Sequence, residues 1–129
     1  MAGRILYVDH AEVRAGKLDE LKLAMGELVE LVEANEPQLG GYEVYFSEDG
    51  TRMTVVHSHV DSASLERHMR VAGPAFARFV DLVRLLTIDV YGTTSEALME
   101  QIRDKAALLG SATVTVHRRH AGFTRPAAG

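Results

Sequence analysis

The sequence predicts an α+β domain of the ferredoxin-like kind, βαββαβ, continued by a further helix and strand. Three observations lead there. Extended runs with period-two alternation fall at 4–14, 42–47, 52–60 and 85–91, and helical periodicity fills the gaps 17–35 and 62–83. A hairpin signal, Glu48-Asp49-Gly50, joins the second run to the third. The two longer gaps each hold one helix, which gives the order strand, helix, strand, strand, helix, strand.

Arg4 to Arg14 is rich in Ile, Leu, Tyr and Val and reads as the first strand. Ile5, Tyr7, Asp9, Ala11 and Val13 share one face; Leu6, Val8, His10 and Glu12 share the other. Both faces carry apolar groups, as in a strand covered on both sides. Ala15-Gly16 breaks it. From Lys17 to Asn35, Leu18, Leu21, Met25, Leu28 and Val32 make a helical stripe, and Asn35-Glu36-Pro37 ends it. The acidic stretch Glu27 to Glu36 reads as a solvated helix face.

Gly40-Gly41 leads into a second strand with Tyr42, Val44 and Phe46 on one face. In the third, Met53, Val55, His57 and His59 alternate with Arg52, Thr54, Val56, Ser58 and Val60. Asp61-Ser62 supplies an N-cap for a helix whose inner face carries Leu65, His68 and Met69. Pro74 suits the first turn of a second helical piece bearing Phe76, Phe79, Val80 and Val83. Leu85 to Tyr91 is the fourth strand, stopped by Gly92.

The pattern then continues. Thr93-Thr94-Ser95-Glu96 reads as a capping box before Leu98, Met99, Ile102, Ala106 and Leu109, and Ala112 to His117 reads as a fifth strand. Residues 1–92 are thus expected to form the domain and 93–129 an extension, packed on a dimer or closing one end of a cavity. The tail is expected to fray after about Phe123. The second sheet face needs a cover, which in so small a chain implies a homodimer.

Composition narrows the function classes. The 129 residues, 47% hydrophobic, suit one core. A formal charge of −4 gives no general attraction to nucleic acid or anionic membrane. Without cysteine there is no disulfide, thiolate nucleophile or thiolate metal site. No apolar run approaches the roughly 20 residues of a membrane span, and the N-terminus lacks a leader pattern, so a cytoplasmic protein is expected. Phosphate loops, nucleophile elbows and His-Glu-x-x-His patterns are missing from the sequence.

Chemistry-bearing side chains concentrate on the third strand. His57 and His59, two apart, emerge from one face. Three readings stand: hydrogen-bonded interior histidines, an acid–base pair, or two metal ligands completed by Asp9. Asp9, on the face of Tyr7, could orient a histidine. His68 reads as a helix histidine bonded to a backbone carbonyl, or as a pocket wall. Tyr7, Tyr42, Phe46, Met53, Phe76 and Phe79 could line a pocket for a flat aromatic ligand or form ordinary core. His117, Arg118, Arg119 and His120 are a basic cluster, either solvated or gripping an acidic ligand.

The run Thr54 to Phe79, with Asp61-Ser62-Ala63-Ser64-Leu65-Glu66-Arg67-His68-Met69 and Pro74-Ala75-Phe76, resembles the antibiotic biosynthesis monooxygenase-like family of dimeric α/β barrels. Ala11-Glu12-Val13-Arg14-Ala15-Gly16 is similar to its first strand and loop, and the resemblance covers residues 4 to 92. It implies two ferredoxin-like sheets facing each other with a pocket in each subunit. It also implies oxidation of quinols or anthrones by oxygen without a cofactor, with His59 or His57 as base, Asp9 orienting and His68 near the ligand. The position where oxygenase members often carry tryptophan is His59 here, and the chain has no tryptophan. The haem-degrading branch has an asparagine where this chain has Asp9, and a histidine near Phe79, Val80 and Asp81. No haem, other cofactor or metal is therefore expected. The alternative function is a non-catalytic homodimeric ligand-binding or stress-associated protein.

Overall fold

The computed structural model describes residues 3–125. Five strands, β1 (Ile5–Val13), β2 (Gly41–Phe46), β3 (Arg52–His59), β4 (Val83–Tyr91) and β5 (Thr113–His117), form one sheet in the order β2-β3-β1-β4-β5. The helices are α1 (Leu18–Asn35), α2 (Ser62–Ala72) and α3 (Glu96–Leu108), with a 3₁₀ segment at Gly73–Phe79. The first four strands are antiparallel, giving the ferredoxin-like α+β fold that the element order predicts. β5 pairs parallel to β4, because helix α3 carries the chain back before the new strand starts.

Alternation in β1 decides which face is inside: Ile5, Tyr7, Asp9 and Ala11 are buried, while Leu6 and His10 are exposed. α1 lays Leu21, Ala24, Met25, Leu28 and Val32 onto that inner face. β4 needs a correction of phase. Val83 and Leu85 face inward, but so do Ile88 and Val90, which one unbroken alternation cannot achieve. A bulge opposite His10/Ala11 inserts Leu86 and restores the inward set. Gly92 ends the strand at φ +135°, with the Arg4 carbonyl so close that a Cβ would stand 2.7 Å from its oxygen.

The hairpin turn is locked by Asp49, whose carboxylate accepts from the Ser47 hydroxyl and from the Thr51 amide and hydroxyl. These bonds hold its pKa down at about 2. Asp61 caps α2 as its position implies, accepting from Ser64 N at 2.9 Å. The capping box at α3 is corrected by one turn element: the cap is Ser95, which accepts from Leu98 N, rather than Thr93. Among the described residues no helix is long and apolar enough to cross a membrane. The outer sheet face, with Leu6, Tyr45, Val60 and Tyr91 among its exposed groups, has no helix of the described chain over it.

Candidate functional site

The site lies on the helix-covered face of the sheet. Tyr7, His57 and Tyr42 occupy one register row across β1, β3 and β2, so their rings must meet. His57 stacks between Tyr7 at 4.2 Å and Tyr42 at 5.0 Å, centroid to centroid. His59 follows two residues on, and α2 brings His68 to 4.6 Å from the His57 ring. All three histidines are about 1% exposed.

Hydrogen bonds divide these groups into two clusters, the first of which holds two separate sets. His57 Nδ1 and His59 Nε2 are 2.7 Å apart, and His59 Nδ1 lies 2.8 Å from Ser64 Oγ. Two proton arrangements satisfy both contacts. Either Ser64 O–H donates to His59 Nδ1 and His59 Nε2–H to His57 Nδ1, which puts a hydrogen on His57 Nε2, or His57 Nδ1–H donates to His59 Nε2 and His59 Nδ1–H to Ser64 Oγ, which leaves a lone pair there. His57 Nε2 is buried without a partner. His68 Nδ1 lies 2.9 and 3.1 Å from the two carboxylate oxygens of Glu36, so its N–H donates there and its Nε2 is left as a buried, unpartnered acceptor. The second cluster is ionic. Tyr7 O–H donates to Asp9 Oδ2 at 2.8 Å, and Lys105 Nζ donates to Tyr7 Oη at 2.7 Å and to Asp9 Oδ2 at 3.1 Å. Lys105 also stands 4.7 Å over both the Tyr7 and Phe76 rings. Asp9 Oδ1 is buried and unpartnered.

Burial governs the ionisation of these groups. It pulls His59 down to about 4 and His68 to about 3, the latter helped by the positive charge of Lys105. His57 falls well below its ordinary value, from burial first and then from His68 and Lys105. Burial lifts Glu36 above the usual carboxylate value, and lifts Tyr7 and Tyr42 well above the usual phenol value. At neutral pH the three imidazoles are therefore uncharged, and His57 and His68 each keep one ring nitrogen without a partner.

Several expectations are corrected. Asp9 orients Lys105 and Tyr7 rather than a histidine, because its sheet neighbours on β3 and β4 at that level are Val55 and Ile88. Both ring nitrogens of His59 are engaged, so it holds His57 in place and has no lone pair to spare. His68 is bonded to a carboxylate, not to a carbonyl. A metal site of His57, His59 and Asp9 does not assemble: the imidazoles are bonded to each other and Asp9 to Lys105. Among the described residues no group of three or more His, Asp or Glu side chains is placed to hold a metal ion. Met53, Tyr42, Phe76 and Phe79 line an inner cavity of about 30 Å³ beside Asp9 and Lys105. Phe46 does not; it packs at the core's margin beneath Lys22. His117 stacks on Tyr91 and bonds to Asp89 at 2.8 Å, while Arg118, Arg119 and His120 are exposed.

Two residues of the site escape the reading of the sequence, and each had a signal. Glu36, read as solvent-facing, is 2% exposed; it stands four residues after Val32 and so continues the inward stripe of α1. Lys105 lies three residues after Ile102 and seven after Leu98, on the inward stripe of α3. A charge on an apolar stripe is the mark of a buried partner. Through Lys105 the extension closes the inner cavity, one of the two roles its position allows.

No family model and no functionally curated sequence matches the chain. Solved structures do. MupZ from Pseudomonas fluorescens superposes with a TM-score of 0.74 at 17% identity, over 96% of this chain and 96% of that one. A Caulobacter crescentus protein described as a candidate antibiotic biosynthesis monooxygenase gives 0.59 at 21% identity, over 73% of this chain and 92% of that one. A conserved protein from Methanosarcina mazei gives 0.62 at 20%, over 72% and 95%. Identities this low show a shared fold alone. The fold is that of the antibiotic biosynthesis monooxygenase-like proteins. The MupZ match, at 96%, must include α3, whereas the other two span a share of this chain comparable to residues 1–92.

Proposed function

We propose that the protein is a small acid–base enzyme, a cofactor-independent monooxygenase of a phenolic aromatic compound of the quinol or anthrone kind. The observation that carries this reading is the His68–Glu36 dyad: an imidazole held by a carboxylate on one nitrogen, with the other nitrogen buried, neutral and unpartnered. A general base is oriented in this way; with burial holding His68 at about 3 in the empty site, it takes the proton only as the phenolate forming beside it, together with Glu36, offsets the imidazolium. His57 Nε2, unpartnered on the neighbouring ring, supplies a donor to the oxygen that loses its proton when its hydrogen is on that nitrogen. The positive charge of Lys105, which disfavours an imidazolium nearby, favours a phenolate for the same reason.

The reaction needs no further reductant. The substrate hydroxyl gives its proton to His68, the electron-rich ring carbon adds oxygen to form a C–O bond, and the adduct then loses that carbon's hydrogen as a proton while the O–O bond breaks. One oxygen atom stays as a carbonyl and the other leaves as water. The inner cavity of about 30 Å³ is lined by Tyr42, Phe76 and Lys105 but not by His57 or His68, and has room for a water but not for a ring system, so substrate reaches the dyad only as Phe76 and its neighbours move. That closure also favours a second reading, a ligand-binding protein without turnover. We place the enzyme in a cytoplasmic homodimer joined through the outer sheet face, with residues 93 onward as the extension that supplies Lys105.

Oxygen uptake with naphthoquinols and anthrones, with and without a chelator, tests the reading. Uptake is expected to ignore the chelator and to fall roughly 100- to 10,000-fold in His68→Gln and Glu36→Gln. Uptake unchanged in His68→Gln would remove the dyad from the chemistry. Binding of these compounds with no uptake from any of them would make the protein a binding module.

A further inference from the structure

A second feature bears on what the inner site is built to receive. Helices α2 and α3 and the 3₁₀ segment between α2 and β4 border a surface groove of about 230 Å³, lined by Met69, Phe76, Gln101, Asp104, Lys105 and Leu108. Phe76 and Lys105 line this groove and also the inner cavity that holds Asp9, so one pair of side chains forms the wall between them. The groove is apolar along Met69, Phe76 and Leu108. Leu108 is 46% exposed, an apolar group left open at the rim. Gln101 donates its amide N–H to the Glu66 carbonyl, while its Oε1 is buried without a partner beside the groove. The exposed Asp104 carboxylate at the rim acts against an anionic occupant.

From these features we infer that the groove is the channel for the tail of an elongated substrate. Its phenolic head passes the Phe76–Lys105 wall into the inner site, and its neutral, largely apolar chain lies along Met69, Phe76 and Leu108. A hydrogen-bond donor on the chain meets Gln101 Oε1. The inference rests on the phenol-binding reading of the inner site and adds the shape and charge of the substrate. A compact polycycle uses only the inner part; a molecule with a linear chain uses both. The extension is then a specificity element as well as a structural one, since Gln101, Asp104, Lys105 and Leu108 all belong to α3.

The test is calorimetric titration of the full chain with a homologous series of 4-alkylphenols from 4-methylphenol to 4-hexylphenol. Binding is expected to tighten roughly 3- to 4-fold for each added methylene. Leu108→Asn, at the exposed rim, is expected to flatten that dependence and leave 4-methylphenol unaffected. Leu23→Asn, at a 62% exposed position of α1 outside the groove, is expected to leave the dependence intact. A chain-length dependence that survives Leu108→Asn overturns the channel, and so does a wild-type protein that binds 4-methylphenol but ignores chain length. A normal dependence with binding indifferent to His68→Gln faults the acid–base reading and leaves the channel standing. Failure of the whole series to bind overturns both.

Discussion

The two buried polar clusters stand side by side on the same sheet face and are built on opposite principles. Tyr7, Asp9 and Lys105 are held by complementary charge, with Lys105 also covered by two aromatic rings. His57, His59 and Ser64 form one hydrogen-bonded chain and His68 with Glu36 a separate pair, which leaves one nitrogen without a partner on each of two rings. A buried ion pair is expensive to break, so it fixes the position of what it joins. A neutral imidazole with an unused nitrogen can exchange a proton without rearranging its neighbours. The contrast separates anchoring from reactivity within one core.

Removing charge from the ionic cluster should have the largest effect. Lys105→Met leaves Asp9 as a buried carboxylate with only Tyr7 beside it, and is expected to cost about 3–5 kcal/mol in urea unfolding. Pairing it with Asp9→Asn should recover a substantial part, because the stranded charge is then gone. An unchanged stability in Lys105→Met would mean that the ion pair anchors nothing. The imidazole cluster should respond instead to acid. Its folded-state pKa values lie below the ordinary 6.5, at about 4 for His59 and about 3 for His68. The unfolded chain therefore takes up protons first as pH falls, so stability is full above about pH 6.5 and declines between there and pH 3. Thermal melts across that range should show the slope, and His59→Gln should flatten it; equal slopes in both proteins would contradict the buried-neutral assignment. The smallest effect is expected from Ser64→Ala, about 1 kcal/mol from one lost hydrogen bond. Its sharper readout is imidazole ¹⁵N chemical shifts, where the His59 Nδ1 signal should move as its hydrogen-bond partner is lost.

The frame of the fold was legible because burial imposes period two on strands and a stripe on helices, and Ile5 to Ala11 and Leu21 to Val32 obey both. The histidines were legible as a group for the same reason, since His57 and His59 share a strand face and His68 sits between Leu65 and Met69. Periodicity does not tell which charged residue is buried. Glu36 and Lys105 carry the charges that usually face water, and only their phase on the stripe sets them apart. The bulge at Leu86 was hidden for a different reason: Val, Leu, Thr and Ile are good strand formers in either phase, so the slip becomes visible only when β1 is placed beside β4. Hydrogen-bond partners such as Glu36 for His68, 32 residues apart, depend on packing that no local pattern records.

The bond from Lys105 to Tyr7 spans 98 residues of sequence, joining the first strand to the last helix. Contacts of such separation close late, after the local hairpins and helices have formed. During synthesis, β1 to β4 leave the ribosome before α3 is available, and Asp9 waits in the interior without its counter-ion. The cavity acquires its charge and its wall only when the final helix docks. A chain interrupted before that point carries His57, His59 and His68 and still lacks the charge of Lys105 beside them. Completion of the polypeptide thus brings the ion pair to the histidine cluster as the last step of building the core.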